Sequence, residues 1–550
     1  MLNELKRTLR EAKAFADYLK GADLHKDWTL PGAKSFAAMM IDGRKDMYAM
    51  LFMHAENTPQ KPAIVEQGRV TDYRALNSLA CRFGNGAYDR GARRGDKIII
   101  ALGNTTEALV STAGGSHLGA VVVPASKHYL EKELSHIVTH ADAKIVCLTQ
   151  KQWHAVGGSK THTPEYLKGR TVALLEGGEG AAIGWSDLLG KDGAPKRERR
   201  QRDPDIMMYT SGTTGKPKGA MLNMHKVTYV RAYQILGACG FSKYTRFYTA
   251  CPAYHAAPTA FIGFTLSAGG SVHLDDRFDA ERVWRYLDEA EITTAFLVPT
   301  QINRLMQLPP EVLAKKPRAL QRLISGGAPL PLPQKQRALR EIGPVIYDFY
   351  GATELGLVSI ADPQALIDKP GTIGLPFPGV TVKFLDEQGK EVPRGEKGTL
   401  YVTSDQFDFG YYKNADATQK AFTGEYRTVG DIGYVDADGY LFLVDRKSDM
   451  IISGGVNIYP AEIEQVLLEH PAIEDVAIVG APDEDWGETV AAFVVVKKGH
   501  ALSADEVVAH CTKQLASLKK PKRVEFLAEL PRNPTGKILK SQLRERLKSG

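Results

Sequence analysis

The sequence predicts an α/β protein with two domains, and three observations support that prediction. The chain has 550 residues, which is more than one hydrophobic core usually organises. Short apolar runs alternate with helix-like segments through its first three quarters, and the pattern changes near Asp445. We therefore expect a large N-terminal α/β domain followed by a smaller α+β domain.

Strands of the large domain are predicted where β-branched and apolar residues run together. The runs are KIIIAL from Lys97, VVVPAS from Val121, AKIVCLT, ITTAFLVPT and RLISGGAPL. Helix-like stretches such as TEALVSTAGGSHLGA separate them. This alternation is typical of largely parallel strands with helices on both faces.

The segment after Asp445 predicts a compact module of about 100 residues. One helix is expected to begin near Pro460, because a proline in the first turn loses no hydrogen bond, and another near Ser503. VAIVG, AAFVVVKK and RVEFLAEL are the predicted strands. The predicted boundaries are 31–444 for the large domain, 445–449 for a hinge and 450–550 for the small domain.

Residues 1–30 are predicted to form an amphipathic helical extension. Leu2, Leu5 and Leu9 recur at steps of three and four, and basic residues lie elsewhere on the same helix. We favour docking of this helix on the protein's own body or on a second subunit, which would make a homodimer. Contact of residues 1–20 with an acidic membrane surface is the alternative.

Composition excludes several classes of function. With 43% apolar and 24% charged residues, the chain is typical of a folded, soluble protein. The net charge of +6 is small and no basic stripe is interleaved with aromatic residues, so no nucleic-acid partner is expected. The five cysteines are scattered, which argues against a zinc or disulfide framework and favours a reducing compartment. No apolar run reaches the length of a membrane span, so a cytoplasmic protein is expected.

The stretch YTSGTTGKPKGA, from Tyr209 to Ala220, has the composition of a phosphate-binding loop. It is not a P-loop, because Pro217 stands where that motif has its magnesium-binding hydroxyl. Glycines let backbone amides approach an anion, and Lys216 and Lys218 add positive charge. A solvated turn is the alternative interpretation.

Six further stretches follow in the order CPAYHAAP, ISGGAPL, YDFYGATE, TVGDIGYVDADGY, DRKSDMIISGGVNIYP and PRNPTGKIL. With the loop, they closely resemble the adenylate-forming superfamily of acyl-CoA synthetases, aryl-CoA ligases, luciferases and peptide-synthetase adenylation domains. The resemblance runs from about Ala55 to Leu539. It implies that ATP and a carboxylate give an acyl adenylate and pyrophosphate, after which a thiol, usually that of coenzyme A (CoA), takes the acyl group.

The resemblance also implies which residues bind ATP and AMP. The loop would hold the leaving pyrophosphate, Tyr350 would stack on the purine and Asp348 would accept from the adenine amino group. Asp431 would bind the ribose hydroxyls, and Arg446 would contact ribose or phosphate. The full set is Thr210, Ser211, Gly212, Thr213, Thr214, Lys218, Gly326, Gly327, Ala328, Asp348, Phe349, Tyr350, Gly351, Asp431 and Arg446. Ordinary turns are the alternative for SGGAP and for Asp431.

Four residues are assigned to catalysis by the same resemblance. Lys537 would stabilise negative charge on the α-phosphate, Thr353 would contact that phosphate, and Glu354 would bind Mg²⁺. His255 falls where CoA-forming members of the family carry a histidine beside the acyl pocket and the thiol channel. A solvated surface lysine and a buried core histidine are the alternatives for Lys537 and His255.

The family moves its small domain between the two steps. The second orientation would present Ser453, Gly454 and Gly455 to CoA. Ser448 would act as the hinge, although the family usually has Asp or Lys there. A small polar residue can still absorb the backbone rotation.

The acyl pocket is expected to be apolar and roomy, because small side chains line it. Its predicted residues are His255, Ala256, Ala257, Phe261 and Gly351. PAYHAAPTAFIG has no acidic residue to pair a substrate amine, which disfavours an amino acid and leaves fatty, aryl or polycyclic acids. The alternative functions are transfer to a carrier protein or to oxygen, and nucleotide-binding regulation without catalysis.

Overall fold

The computed structural model describes residues 17, 19–20, 23–41, 48–196, 206–210, 217–223, 229–533 and 536–549. Within these residues, three sheets form the framework of the protein. Two belong to the N-terminal part of the chain and the third to the C-terminal part. The expected large α/β domain and smaller α+β domain are confirmed.

The first sheet has 15 strands within the described residues. Its strand order is Arg69–Asp72, Pro62–Glu66, Ser271–Leu274, Arg246–Thr249, Thr294–Leu297, Arg322–Ser325, Ile346–Ala352, Gly356–Ala361, Thr372–Pro376, Leu441–Arg446, Asp431–Val435, Gly398–Ser404, Tyr426–Arg427 and Phe422–Thr423, with Val380–Leu385 beside Gly398–Ser404. Pairing is parallel from Pro62–Glu66 to Ile346–Ala352 and antiparallel beyond it. The expectation of largely parallel strands therefore fails in this second half, where short turns join some of the neighbouring strands, such as Ile346–Ala352 and Gly356–Ala361.

The second and third sheets have eight and five strands within the described residues. The second sheet has the order Asp408–Tyr411, Lys218–Asn223, Ile206–Thr210, Val121–Pro124, Lys97–Ala101, Ala143–Leu148, Thr171–Leu174 and Ile183–Gly184. The third has the order Val456–Ile458, Ile451–Ser453, Gly487–Val496 and Ile473–Asp483, with Arg523–Phe526 paired to Gly487–Val496.

Helices cover these sheets. The α-helices are Leu30–Ile41, Leu51–Asn57, Tyr73–Asp89, Thr106–Leu118, Glu131–Ala141, Gln150–Ala155, Trp185–Leu188, Tyr229–Cys239, Ala256–Ser267, Ala280–Glu289, Pro299–Met306, Pro310–Leu313, Leu332–Glu341, Pro363–Asp368, Ala415–Lys420, Pro460–Leu468, Ala504–Gln514 and Lys540–Ser549. Short 3-10 helices lie at Leu24–Asp27, Glu165–Leu167 and Ser517–Lys519. Within the described ranges, none of the helices combines the length and the apolar character that crossing a membrane requires.

Local sequence explains where several helices begin. Pro460 lies in the first turn of its helix, as predicted. Ser503 caps the next helix: its hydroxyl accepts from the Glu506 N–H at 3.3 Å, and the Glu506 carboxylate accepts from the Ser503 N–H at 2.8 Å. This reciprocal pair satisfies two amides that the helix itself leaves unbonded.

The predicted N-terminal extension lies mostly outside the described residues, which omit 1–16, 18 and 21–22. Its described end contacts the large domain. The Tyr244 hydroxyl donates to Asp23 at 2.6 Å, and the Lys243 ammonium donates to Asp27 at 2.9 Å. These contacts place residues 23–27 against the protein's own body.

All five cysteines are buried as free thiols. Burial raises the pKa of Cys147 to about 12, and burial also raises that of Cys511 to about 11. Thiols in such surroundings are poor nucleophiles because the thiolate is the reactive form.

Gly374 lets two strands of the first sheet approach closely. Its φ is +90°, and a Cβ there would lie 2.0 Å from the Ile360 carbonyl oxygen. We expect Gly374→Ala to lower the free energy of unfolding by at least about 3 kcal/mol, from left-handed strain and backbone overlap together. Urea denaturation followed by circular dichroism measures this loss.

Gly389→Ala is the matched control. Gly389 has a φ of +80°, but a Cβ there would meet no atom within 4 Å. It is expected to lose only about 1–2 kcal/mol, the cost of the left-handed conformation. Equal losses in the two variants would show that the close approach at Gly374 is unimportant.

Candidate active site

The YDFYGATE motif lies on the strand Ile346–Ala352 and on the turn that follows it. This strand is parallel to Arg322–Ser325, with Asp348 opposite Ser325. Gly326, Gly327 and Ala328 come directly after Ser325, so two predicted nucleotide-binding stretches lie side by side at adjacent strands. Ligands in α/β sheets commonly bind at such carboxyl ends.

Tyr350, Asp431 and Arg446 form a hydrogen-bonded cluster. The Tyr350 hydroxyl donates to Asp431 Oδ2 at 2.5 Å, and Arg446 Nε donates to Oδ1 at 2.8 Å. Asp431 and Arg446 are directly paired on neighbouring strands, which fixes the guanidinium beside the carboxylate. The structure thus brings together three residues that lie up to 96 positions apart and that the sequence assigns to adenosine.

Burial and charge define the protonation of this cluster. Burial, with the Asp431 charge adding to it, raises the pKa of Tyr350, so its hydroxyl keeps its proton and donates. Burial opposes the charge of Arg446, but Asp431, Tyr350 and Asp449 together outweigh it and raise the pKa of Arg446. Each Asp431 oxygen can accept a second hydrogen bond, which is compatible with the predicted ribose contact.

Lys537 approaches this cluster from the small domain. Burial lowers its pKa, as does the charge of Arg446, while Asp449 and Asp431 oppose the shift. The adjacent Gly536 lies against the large domain, since a Cβ on it would be 2.6 Å from Thr300 Oγ1. The ammonium is therefore within electrostatic reach of the predicted nucleotide site.

Glu354 lies in the turn after the same strand, next to Thr353. Its Oε1 accepts from the Tyr411 hydroxyl at 2.9 Å and from Thr210 Oγ1 at 3.3 Å. The Lys218 ammonium is 5.3 Å from the centre of the Tyr411 ring. Ser211, Gly212, Thr213 and Thr214 lie outside the described residues.

The residues present around Glu354 fit a magnesium ion. Glu354 Oε2 has no hydrogen bond among the described residues, and the Thr210 hydroxyl is a second oxygen donor nearby. Within the described ranges, no group of three or more His, Cys, Asp or Glu side chains is placed to hold a metal. Magnesium does not need such a cage, because it commonly binds one or two carboxylates together with substrate phosphates.

His255 immediately precedes the helix Ala256–Ser267, which begins with Ala256 and Ala257. Its ring lies 4.2 Å from that of Tyr254, centre to centre. Its buried Nε2 has no hydrogen-bond partner among the described residues, and burial lowers the pKa of His255 to about 4. The ring is therefore neutral near pH 7.

The expectation of an open pocket at Phe261 is not met. Phe261 is fully buried, and its ring centre lies 5.3 Å from the rings of both Phe296 and Phe349. Aromatic rings at such separations attract one another and fill the space. A small cavity instead borders Ala253, Tyr254 and other residues of the same region.

The predicted hinge and CoA segments lie on the small-domain side. Arg544 on the last helix donates to the Asp449 carboxylate at 2.8 Å and to the Ser448 carbonyl at 3.2 Å. Ser453 is buried at the end of its strand, and Gly454 and Gly455 form the following turn. No ligand contact tests these assignments, so both stay predictions.

Sequence reasoning missed two residues that contact the site. Tyr411 binds Glu354 as described above, and its segment DFGYYKN carried no signal for that contact. Lys335 lies 2.5 Å from Asp348, and both side chains are buried. Asp348 Oδ2 is thus already paired, and only its other oxygen is available to adenine.

Comparison with known proteins identifies the family of this chain. The profile of the AMP-binding enzyme family matches residues 51–412, and that of the AMP-binding enzyme C-terminal domain matches residues 462–537. Feruloyl-CoA synthase from an Amycolatopsis species is 33% identical over 502 residues, covering 90% of this chain and 97% of that enzyme.

A second relative and a solved structure extend the comparison. The fatty acid–acyl-carrier-protein ligase ScoC of Streptomyces coeruleorubidus is 32% identical over 501 residues, covering 90% of this chain and 95% of ScoC. ATP-bound MatB from Rhodopseudomonas palustris superimposes with a TM-score of 0.81 at 30% identity, over 91% of this chain and 98% of MatB. The chain therefore belongs to the AMP-binding enzyme family, within the adenylate-forming superfamily, whose members activate carboxylic acids as acyl adenylates with ATP and Mg²⁺.

Proposed function

We propose that this AMP-forming ligase joins an apolar carboxylic acid to the thiol of CoA. The observation that carries the proposal is the convergence of Tyr350, Asp431 and Arg446 with Lys537 of the small domain. A buried carboxylate suited to ribose and a half-buried ammonium suited to a phosphate occur at one place.

In the first step, a carboxylate oxygen of the acid attacks the α-phosphorus of ATP. The new bond joins that oxygen to phosphorus, and the bond to the pyrophosphate oxygen breaks. Asp431 accepts from the ribose hydroxyls and Lys537 stabilises the charge that builds on the α-phosphate oxygens. Magnesium bound at Glu354 would supply neutralisation of phosphate charge.

In the second step, the small domain turns about residues 445–449 and brings Ser453, Gly454 and Gly455 to the adenylate. The CoA thiol releases its proton to solvent and its sulfur attacks the acyl carbon. AMP leaves as the bond between that carbon and the phosphate oxygen breaks. The contacts that hold the present orientation can open readily, because some are exposed, such as Gln307 to Glu474 at 3.1 Å. Exposed polar contacts contribute little to stability.

The aromatic side chains near His255 favour an acid with an apolar body, either aryl or fatty. Feruloyl-CoA synthase supports an aryl acid and CoA, whereas ScoC supports a fatty acid and a carrier protein. The carrier protein is therefore the second candidate acceptor.

Pyrophosphate release across a panel of aryl, fatty and steroid-like acids tests the proposal, with ATP and Mg²⁺ and with or without CoA. Turnover that requires CoA with one class of acid is the expected result. If turnover requires an acyl carrier protein instead, that protein rather than CoA is the acceptor. Absence of turnover with every acid would contradict the proposal.

Lys537→Ala is expected to slow adenylation about 100-fold, because the ammonium acts on charge that develops in the transition state of that step. Thioester formation from a supplied acyl adenylate should keep its rate. Single-turnover assays of each half-reaction measure the two effects. The exposed Lys498→Ala on the same domain is the control, and equal loss in both half-reactions would reject the assignment of Lys537.

His255 should not change its charge in the assay range. Its lowered pKa of about 4 means that the ring is protonated only below that pH, so a rise in pH from about 6 to about 8 leaves it neutral. We expect His255→Gln to change the adenylation rate without changing the shape of its pH profile. A transition near pH 6.5 in the parent that disappears in the variant would show that His255 titrates there.

A further inference from the structure

A buried lysine contacts the strand that carries Tyr350. Lys335, on the helix Leu332–Glu341, is 3% exposed. Its ammonium lies 2.5 Å from Asp348 Oδ2 and donates to the Thr372 carbonyl oxygen at 3.3 Å. One cation thus connects the helix, the strand Ile346–Ala352 and the strand that begins at Thr372.

The burial of Asp348 sets this pair apart from surface ion pairs. Among the Asp and Glu residues that the structure describes, Asp348 and Asp431 are the buried ones, at 6% and 4% exposure. A buried carboxylate is unfavourable unless a cation or hydrogen-bond donors compensate its charge. Lys335 provides that compensation for Asp348, as Arg446 and Tyr350 do for Asp431.

The two oxygens of Asp348 differ in their surroundings. Lys335 holds Oδ2, whereas Oδ1 has no hydrogen-bond partner among the described residues. Asp348 precedes Tyr350 by two positions on the strand, so the two side chains project from the same face. An oxygen free to accept a hydrogen bond therefore lies on the face of the strand that carries the predicted purine-stacking ring.

We propose that Lys335 is a positioning residue that determines which purine the site accepts. Its ammonium pairs with Oδ2 of the Asp348 carboxylate, and a carboxylate can accept hydrogen bonds but cannot donate them. The 6-amino group of adenine donates to Oδ1, whereas the 6-oxo group of hypoxanthine presents a lone pair to it and is repelled. The inference rests on the proposed function, because it requires an adenine nucleotide at this site.

The first experiment measures, by calorimetry, the dissociation constants of three nucleoside monophosphates with the unmodified full chain. AMP has the 6-amino group, IMP has a 6-oxo group and purine riboside monophosphate has only hydrogen there. The expected order of affinity is AMP, then purine riboside monophosphate, then IMP. Tighter binding of IMP than of purine riboside monophosphate would mean that Asp348 donates, and would overturn the proposal.

Two variants test the role of Lys335 itself. Lys335→Met leaves the Asp348 carboxyl buried without a cation, which favours its protonated, donating form. Lys335→Met with Asp348→Asn is neutral and similar in volume, and its amide can donate to the 6-oxo group. In both, the preference for AMP over IMP should fall by at least roughly tenfold, because the site loses its repulsion of the 6-oxo group.

Lys369→Met is the matched control. Lys369 lies at the end of the helix Pro363–Asp368, and its ion pairs among the described residues are with Asp436, at 2.9 Å, and Asp438 rather than with Asp348, so the AMP preference should be kept. The double variant covers the case in which the single variant does not fold. A folded double variant with the parent's preference would overturn the inference. A parent protein that binds none of the nucleotides would overturn the proposed function as well, whereas equal affinity for AMP and IMP would overturn this inference alone.

Discussion

The arrangement of the site depends on the buried Asp431 carboxylate. It receives a hydrogen bond from Tyr350 on one strand and from Arg446 on another. Arg446 ends the strand Leu441–Arg446, and the next residues lead into the small domain. The Asp431 side chain therefore connects the residue predicted to stack on the purine with the start of the proposed hinge. Because this carboxylate is buried, its charge must be paired.

Short linear stretches carried most of what the sequence could predict. YDFYGATE and NPTGK combine residue types whose chemistry is readable without a fold, and the resemblance to a family supplied their grouping. Parallel strands and the helices beginning at Pro460 and Ser503 were predictable from local patterns. The closeness of Tyr350 to Asp431 was not, because it depends on a sheet formed by segments 81 residues apart.

Burial was the property that the sequence predicted least well. Lys335 lies in PLPQKQRALR, whose polar residues are typical of an exposed helix, yet the structure buries its ammonium. The packing around Phe261 was unpredictable for a related reason. Phe261, Phe296 and Phe349 come from three separate segments, and only the folded chain shows that their rings pack together.

Because all five cysteines are buried, the proposed rotation of the small domain can be measured with thiol-reactive dyes. Thiol-reactive dyes need an accessible thiolate; all five native thiols are buried, and burial raises the pKa of Cys147, Cys239, Cys251 and Cys511. A pair of cysteines introduced on exposed positions of the two domains would therefore take up donor and acceptor dyes over a low background. Energy transfer between the dyes could then follow the two orientations during turnover without first removing the native cysteines.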